Sequence, residues 1–279
     1  AQASRTLIEA AHRAGFREVS LVLEPVAAAY AYHIQAEKRQ TALVFDFGGG
    51  TLDFTIVRLG GPGPQEVIAT QGVLLGGDDI DRRIIGAMER YFGAGTTFRP
   101  GLGRQELPFP RHITHHIQDW QTLLELAEPE HAQVIEDALR TGSNPLRIRA
   151  LKSLVNNNLG FSLRTEAERL KIALSVQLTD LLVFKGPHIR ISEAYTRQRL
   201  ENQLRHTLRP IQQGLDAVLA KAEMADDDID VVLRTGGSAS IPLYIRLLEE
   251  RFGPDRVIAQ DAFTSITAGL AIMAHERYG

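Results

Sequence analysis

The chain has no cysteine, and among its 279 residues only three are methionine and one is tryptophan. Without thiols it forms no disulfide, offers no thiolate nucleophile and builds no cysteine metal site. It also lacks an excess of either charge: 31 lysines and arginines face 34 aspartates and glutamates, a formal net charge of -3. Nucleic acid and anionic membrane surfaces are therefore not expected partners, because both call for a basic footprint. No apolar run approaches the roughly 20 residues of a membrane-spanning helix. The opening residues Ala1-Gln2-Ala3-Ser4-Arg5 lack the charged and apolar regions of a signal peptide, so a cytoplasmic location is the expectation. Lysine is scarce, confined to Lys38, Lys152, Lys171, Lys185 and Lys221. What is present is ample apolar content, 44%, enough for one large domain or two ordinary ones.

The stretch Leu43 to Val57 reads as strand, glycine turn, strand. Side chains alternate along a strand, so Leu43, Phe45 and Phe47 share one face while Val44 and Asp46 take the other, with Asp46 pointing out beside the turn. On the second strand Leu52, Phe54 and Ile56 share a face, opposite Thr51, Asp53 and Thr55. Gly48, Gly49 and Gly50 leave the turn without side chains and permit dihedrals closed to other residues. Backbone N–H groups can then approach the oxygens of a phosphate. A tight hairpin turn is the other reading of three glycines. Asp46 tips the balance towards a ligand, because a carboxylate in an apolar strand needs a charged or hydrogen-bonding partner, and a Mg-nucleotide supplies one.

The rest of the chain is organised around similar turns. A helix over 3–14 stops at Gly15, a short strand runs from Val19 to Leu23, and Glu24-Pro25 opens a helix of small residues. The charged run Glu37 to Gln40 suggests a domain boundary near residue 39. A third strand follows from Glu66 to Gln71. Leu75-Gly76-Gly77-Asp78-Asp79-Ile80-Asp81 is a second glycine turn, leading into a helix that carries Ile80, Ile84, Ile85 and Met88. Its aspartates suit helix capping or a ligand equally. Residues 93–160 read as a mostly helical appended subdomain, in which His112, His115 and His116 lack metal-site spacing and Trp120 suits core or interface. On the helix Arg164 to Gln177, Ala167, Leu170 and Leu174 gather on one side, and Glu168, Lys171 and Ser175 on the other with Ile172 among them. That is a solvated face, or a surface for a ribose and a flat base.

A strand pair over 178–184 and 188–191 comes next, then long helices from Glu193 to Ala225 with a kink or break at Pro210, and a solvated turn at Asp226-Asp227-Asp228. Ile229 to Leu233 forms a buried strand ending in Thr235-Gly236-Gly237-Ser238-Ala239-Ser240, and Ile241-Pro242 starts a helix. Strand, glycine turn and helix N-terminus suit an anion, although the spacing is neither that of a P-loop nor that of a dinucleotide fingerprint. The last helix, Thr264 to Glu276, has small residues Ala268, Gly269 and Ala271 that permit close packing.

Three glycine turns and a polar-faced helix in this order resemble the DnaK-type heat-shock chaperones, the heat shock protein 70 family. Ala14-Gly15-Phe16 and Glu24-Pro25-Val26-Ala27-Ala28-Ala29 carry the resemblance in the first segment. Val44-Phe45-Asp46-Phe47-Gly48-Gly49-Gly50-Thr51-Leu52-Asp53 is similar to the family's second phosphate-binding hairpin and is the most specific match. Gly76-Gly77 resembles its next glycine turn, Glu168 to Ser175 its adenosine-contacting helix, and Gly236 to Pro242 its adenosine turn. The resemblance implies an α/β chain of the actin-like ATPase (ribonuclease H-like) fold, two lobes closing on ATP or ADP with Mg2+. It places Gly48 to Thr51 on the β- and γ-phosphates and Asp46 on the metal through water. Glu24 positions metal or attacking water. Glu168, Lys171, Ile172 and Ser175 hold the adenosine, and Gly76, Gly77, Gly236, Gly237, Ser238 and Ser240 lie against the nucleotide.

The pattern departs from the family in three ways. Ile172 and Ser240 stand where the chaperones have the two arginines that sandwich adenine, so cation–π contacts are lost on both faces of the base. Residues 93–160 are longer than the chaperone segment, and with those substitutions they resemble the divergent YegD-like branch. The first phosphate hairpin and the catalytic lysine are expected before residue 1, and a peptide-binding domain after residue 279. On this reading 40–261 form a complete second lobe, while 1–39 and 262–279 are remnants of the first. The expected function is the ATP-binding portion of a chaperone-like ATPase, inactive alone. The alternative is a non-catalytic interaction module that keeps the fold without tight nucleotide binding. A client protein or co-chaperone is the implied partner.

Overall fold

Apolar residues at period two in 42–59 and at helical spacing in 80–88 call for a sheet and helices, and both are observed. A computed structural model describes residues 2–34, 36–61, 65–101, 105–260 and 262–278. In chain order its elements are α1 (Gln2–Arg13), α2 (Glu24–His33), β1 (Gln40–Phe47), β2 (Leu52–Leu59), β3 (Glu66–Val73), α3 (Gly77–Gly86), β4 (Thr97–Phe98), β5 (Leu107–Pro108), α4 (Arg111–His115) and α5 (Pro129–Thr141). There follow α6 (Pro145–Asn156), α7 (Gly160–Val176), β6 (Thr179–Gly186), β7 (Ile189–Thr196), α8 (Arg197–Leu204), α9 (Leu208–Ala222), β8 (Val231–Thr235), α10 (Pro242–Phe252), β9 (Val257–Ala259) and α11 (Ala262–Tyr278). The chain divides by packing into two compact units, one of residues 1–74, 209–240 and 244–279, the other of 75–208 and 241–243. Among the described residues no helix is long and apolar enough to cross a membrane.

The first unit is built on a mixed sheet in the order β3-β2-β1-β8-β9. β1 is antiparallel to β2 and parallel to β8. The alternation in β1 does not mark a solvated face, as a two-period pattern alone suggests, because helices cover both sides of a central strand. Ala42 and Val44 are fully buried with Val57, Leu59, Val231, Leu233 and Ala29 of α2. On the other face Phe45 meets Phe54, Phe47 meets Tyr244 of α10, and a Cβ at Gly214 of α9 would lie 2.4 Å from the Phe54 ring. Small residues set how close the helices come. A Cβ at Gly269 of α11 would lie 1.9 Å from the Ala27 carbonyl oxygen, so α2 and α11 touch backbone to backbone. Tyr30 and Glu276 are hydrogen-bonded across this seam.

One local reading of this unit changes. Val19 to Leu23 is not a strand: no neighbouring strand pairs with it among the described residues, and Leu21 and Leu23 are exposed. The solvated turn expected at Asp226 to Asp228 is observed as an exposed 3-10 turn, with Asp226 also 2.9 Å from Arg251 of α10. The apolar face of α1, read from Leu7, Ala10, Ala11 and Ala14, has no buried residue. The loop residues 62–64 lie outside the described residues.

The second unit packs α3 against α7 and carries the hairpin β6-β7. Ile80, Ile84, Ile85 and Met88 are buried as the helical spacing predicts. Glu193 to Thr196 belong to β7 rather than to a helix, and the break in the helices that follow is the 3-10 turn 205–207. Pro210 causes no kink, because it sits in the first turn of α9, where a missing N–H removes no helical bond. Residues 93–160 are helical with one short strand pair, β4-β5. Their histidines pack as tilted rings: the His131 ring centroid lies 6.0 Å from that of His112 and 5.4 Å from that of His116, while His115 bonds Glu89. Among the described residues no three His, Cys, Asp or Glu side chains form a metal-holding group. Trp120 is 38% exposed, edge-on to Phe161.

Candidate functional site

The first unit brings two of the glycine turns together. β1 and β8 are neighbouring parallel strands, in register Asp46 to Thr235, and each ends in a glycine turn at its carboxyl end. Carboxyl ends of adjacent parallel strands are where α/β sheets bind ligands. Gly236 is demanded by the fold: its φ is +84°, and a Cβ there would lie 2.3 Å from the Phe47 carbonyl oxygen. Gly48 and Gly50 are different. Neither has a positive φ. A Cβ would meet nothing closer than 3.6 Å at Gly48 and nothing within 4 Å at Gly50 or Gly237. The hairpin closes through Gly48 N–H donating to the Thr51 carbonyl at 3.0 Å, a bond any residue could make. The unusual dihedrals expected of this turn are absent, so neither sterics nor torsion accounts for those glycines. An open cup without side chains is what remains.

The charges that act on Asp46 beside the cup are negative. The hairpin register sets Asp46 directly opposite Asp53, an arrangement that destabilises a sheet. Burial first, then Glu24 at the start of α2, then Asp53, push the Asp46 carboxyl from 3.8 up to about 6. Thr51 donates to Asp53 at 2.9 Å. Thr235, the partner of Asp46 on β8, is buried with its hydroxyl unbonded. A half-buried, uncompensated carboxylate next to an orphaned hydroxyl and a bare turn fits a hydrated divalent cation carrying phosphate oxygens.

The second unit brings together the other set. Gly76 caps α3, and its N–H donates to Asp79 at 2.8 Å, so Asp79 is a helix cap. Asp78 pairs with Arg164 of α7 at 2.7 Å. Lys171 is not on an open polar face: it is buried, its ammonium 2.9 Å from Asp81 and 3.4 Å from the Gly77 carbonyl. Ser175 donates to the Lys171 carbonyl one turn back. Glu168 is exposed, and Ile172 is 59% exposed.

Comparison with known proteins shows the family. A family model described as Hsp70 protein matches residues 2–98 and 152–279. The chain belongs to the Hsp70 family. The chaperone protein DnaK of Thermosipho africanus is 29% identical over 275 residues, covering 95% of this chain and 37% of the relative. DnaK of Endomicrobium trichonymphae is 29% identical over 94% of this chain and 35% of its own length, and DnaK of Thermotoga neapolitana 28% over 95% and 37%. The chain thus spans little more than a third of the relatives it matches. Hsp70 membership implies the actin-like ATPase fold, with which the mixed α/β sheet is consistent. The Hsp70 model skips 99–151, inside the segment that reads as longer than its chaperone counterpart.

Two acidic residues lie in these clusters with little local sequence signal for it. Alternation gives Asp53 only a face, yet counting back from the turn through an antiparallel register sets it across from Asp46. Asp81 lies one helical turn beyond the glycine pair, and its pairing with a lysine 90 positions away carries no local signal.

Proposed function

We propose that this chain is the nucleotide-binding portion of a chaperone-like ATPase, with 40–261 as the second lobe, 93–160 inserted in it, and 1–39 and 262–279 belonging to the first. The observation that carries this reading is Asp46, pushed up to about 6 with Glu24 and Asp53 as its charged neighbours, beside glycines that the fold does not require. A fold keeps such a cluster where a ligand relieves it. Gly48 to Thr51 bind the β- and γ-phosphates of ATP or ADP, and Asp46 orients the hydrated Mg2+, which supplies neutralising charge. Glu24 holds water. Gly236, Gly237, Ser238 and Ser240 lie against the nucleotide, and Gly76, Gly77, Glu168, Lys171, Ile172 and Ser175 contact the adenosine. Among the described residues no lysine acts on Asp46, so little hydrolysis is expected. The unmatched segment 99–151, Ile172 and Ser240 support a YegD-like branch; a cytoplasmic location and a client or co-chaperone partner go with it.

A second reading, an interaction module without tight nucleotide binding, is favoured by one observation. Lys171 and Ser175 already spend their polar atoms on Asp81 and on backbone. Calorimetry with Mg-ADP and Mg-ATP on the whole chain separates the two. Saturable micromolar binding that Asp46→Asn weakens tenfold supports the first; no saturable binding at millimolar nucleotide leaves the second.

A further inference from the structure

In the second unit a cleft of about 150 Å³ opens between the start of α6 and the turn that joins β6 to β7. Leu146 and Arg147 line it from α6, His188, Ile189 and Arg190 from the turn and β7, and Tyr91 from the turn that follows α3. No carboxylate is among its lining residues. The α6 side lies in 99–151, which the Hsp70 model leaves unmatched, whereas the hairpin is matched. No lining residue belongs to a glycine turn or to α7, so the cleft is separate from both clusters described above.

Its positive charges have no counter-charge. Among the described residues no acid pairs with Arg190, which is exposed, and its guanidinium makes no hydrogen bond. Arg147 is half-buried and donates one N–H to the Ala94 carbonyl at 3.4 Å, which leaves the rest of its donor fork open. The first turn of α6 holds no acid to offset it. Glu193, which the Tyr91 hydroxyl reaches, is already held by Arg90 and, at 2.9 Å, by Arg199. One carboxylate between two guanidiniums neutralises nothing further. A cleft lined by a single sign of charge concentrates counter-ions.

His188 adds a donor that the fold does not call for. It sits at φ +59° in the two-residue turn between the paired ends Gly186 and Ile189, a conformation that glycine adopts without strain. The turn is braced by α6, where the buried Ser153 hydroxyl donates to the Pro187 carbonyl. An imidazole is thus held at the rim of the cleft at some backbone cost. The Tyr91 ring and the exposed Leu146 side chain supply apolar walls.

We propose that this cleft binds a small organic oxyanion, a carboxylate or phosphate group on a compact apolar body. The oxygens sit on Arg190, Arg147 and His188, and the body lies against Tyr91 and Leu146. A guanidinium fork matches either head group through parallel N–H donors. The site is independent of the nucleotide reading, since neither Mg2+ nor the glycine turns take part.

Calorimetry on the whole chain without Mg2+ tests it, with benzoate and phenyl phosphate as probes and benzamide and benzamidine as neutral and cationic controls. Saturable binding of at least one anion is expected, absent with both controls, at least tenfold weaker in Arg190→Gln and severalfold weaker in His188→Gly. The tighter anion identifies the head group. Both variants should fold, because Arg190 is exposed and unpaired and glycine suits the turn. No saturable binding of either anion at millimolar concentration, equal binding of a control, or undiminished affinity in either variant overturns the proposal.

Discussion

Replacing Asp46 by asparagine removes a charge that the fold resists. The folded carboxyl titrates at about 6 against an ordinary 3.8, from burial first and the charges of Glu24 and Asp53 next. Between those values the folded chain keeps a proton that the unfolded chain gives up. Protonation therefore stabilises the fold fully below 3.8, and that stability is lost as pH rises through about 6. The full difference is worth at most roughly 3 kcal/mol. Asp46 is only half-buried, and solvent screening lowers the figure to roughly 1–2 kcal/mol. Asp46→Asn is thus expected to be more stable than the parent by that amount near pH 8, the gain shrinking to roughly a third of it near pH 4.5. Urea unfolding followed by circular dichroism at both pH values measures it. Mg-ADP at saturation should stabilise the parent by about 1.4 kcal/mol more than the variant, the equivalent of the tenfold weaker binding. A variant less stable at high pH, or a gain that ignores pH, would refute the assignment of Asp46 as a strained ligand-site carboxylate.

Three further outcomes follow from the geometry. Gly236→Ala forces a Cβ to 2.3 Å from the Phe47 oxygen at a φ of +84° and should lose roughly 2–4 kcal/mol in chemical unfolding, whereas Gly50→Ala should stay within roughly 0.5 kcal/mol while weakening nucleotide binding. Lys171→Met strands Asp81 without its buried partner and should lose roughly 3–5 kcal/mol, most of it recovered by adding Asp81→Leu. Ile172→Arg, at a 59% exposed position, should leave the melting temperature unchanged and tighten adenine nucleotides about two- to fivefold by calorimetry.

The sheet was legible in the sequence wherever turn chemistry and alternation agreed, as at Leu43 to Val57. Covering of both faces of β1 was not, because a central strand flanked by helices can keep the same alternation as a half-exposed one. The strand expected at Val19 to Leu23 has the right residues and no neighbour, and pairing is a tertiary property. Of the site, the glycine turns and Asp46 were readable from local spacing. Periodicity puts Lys171 on a polar face because it sees only its own helix, while Asp81, on α3, decides where its ammonium goes. Residues 99–151 offered least, since the motif order that guides the flanks stops on either side of them.

The order β3-β2-β1-β8-β9 also governs how this chain is made. β1 to β3 leave the ribosome long before β8, which begins only at Val231, so the hairpin meanders with one side of β1 unpaired while more than 150 residues are added. Most of those, 75–208, form the other compact unit, which can complete its own contacts in the interval. Parallel pairing over such a separation is slow, and until it occurs the open edge of β1 invites strands from other molecules. A chain stalled before residue 231 is then the aggregation-prone species, and β8 with β9 acts as the closure that retires it.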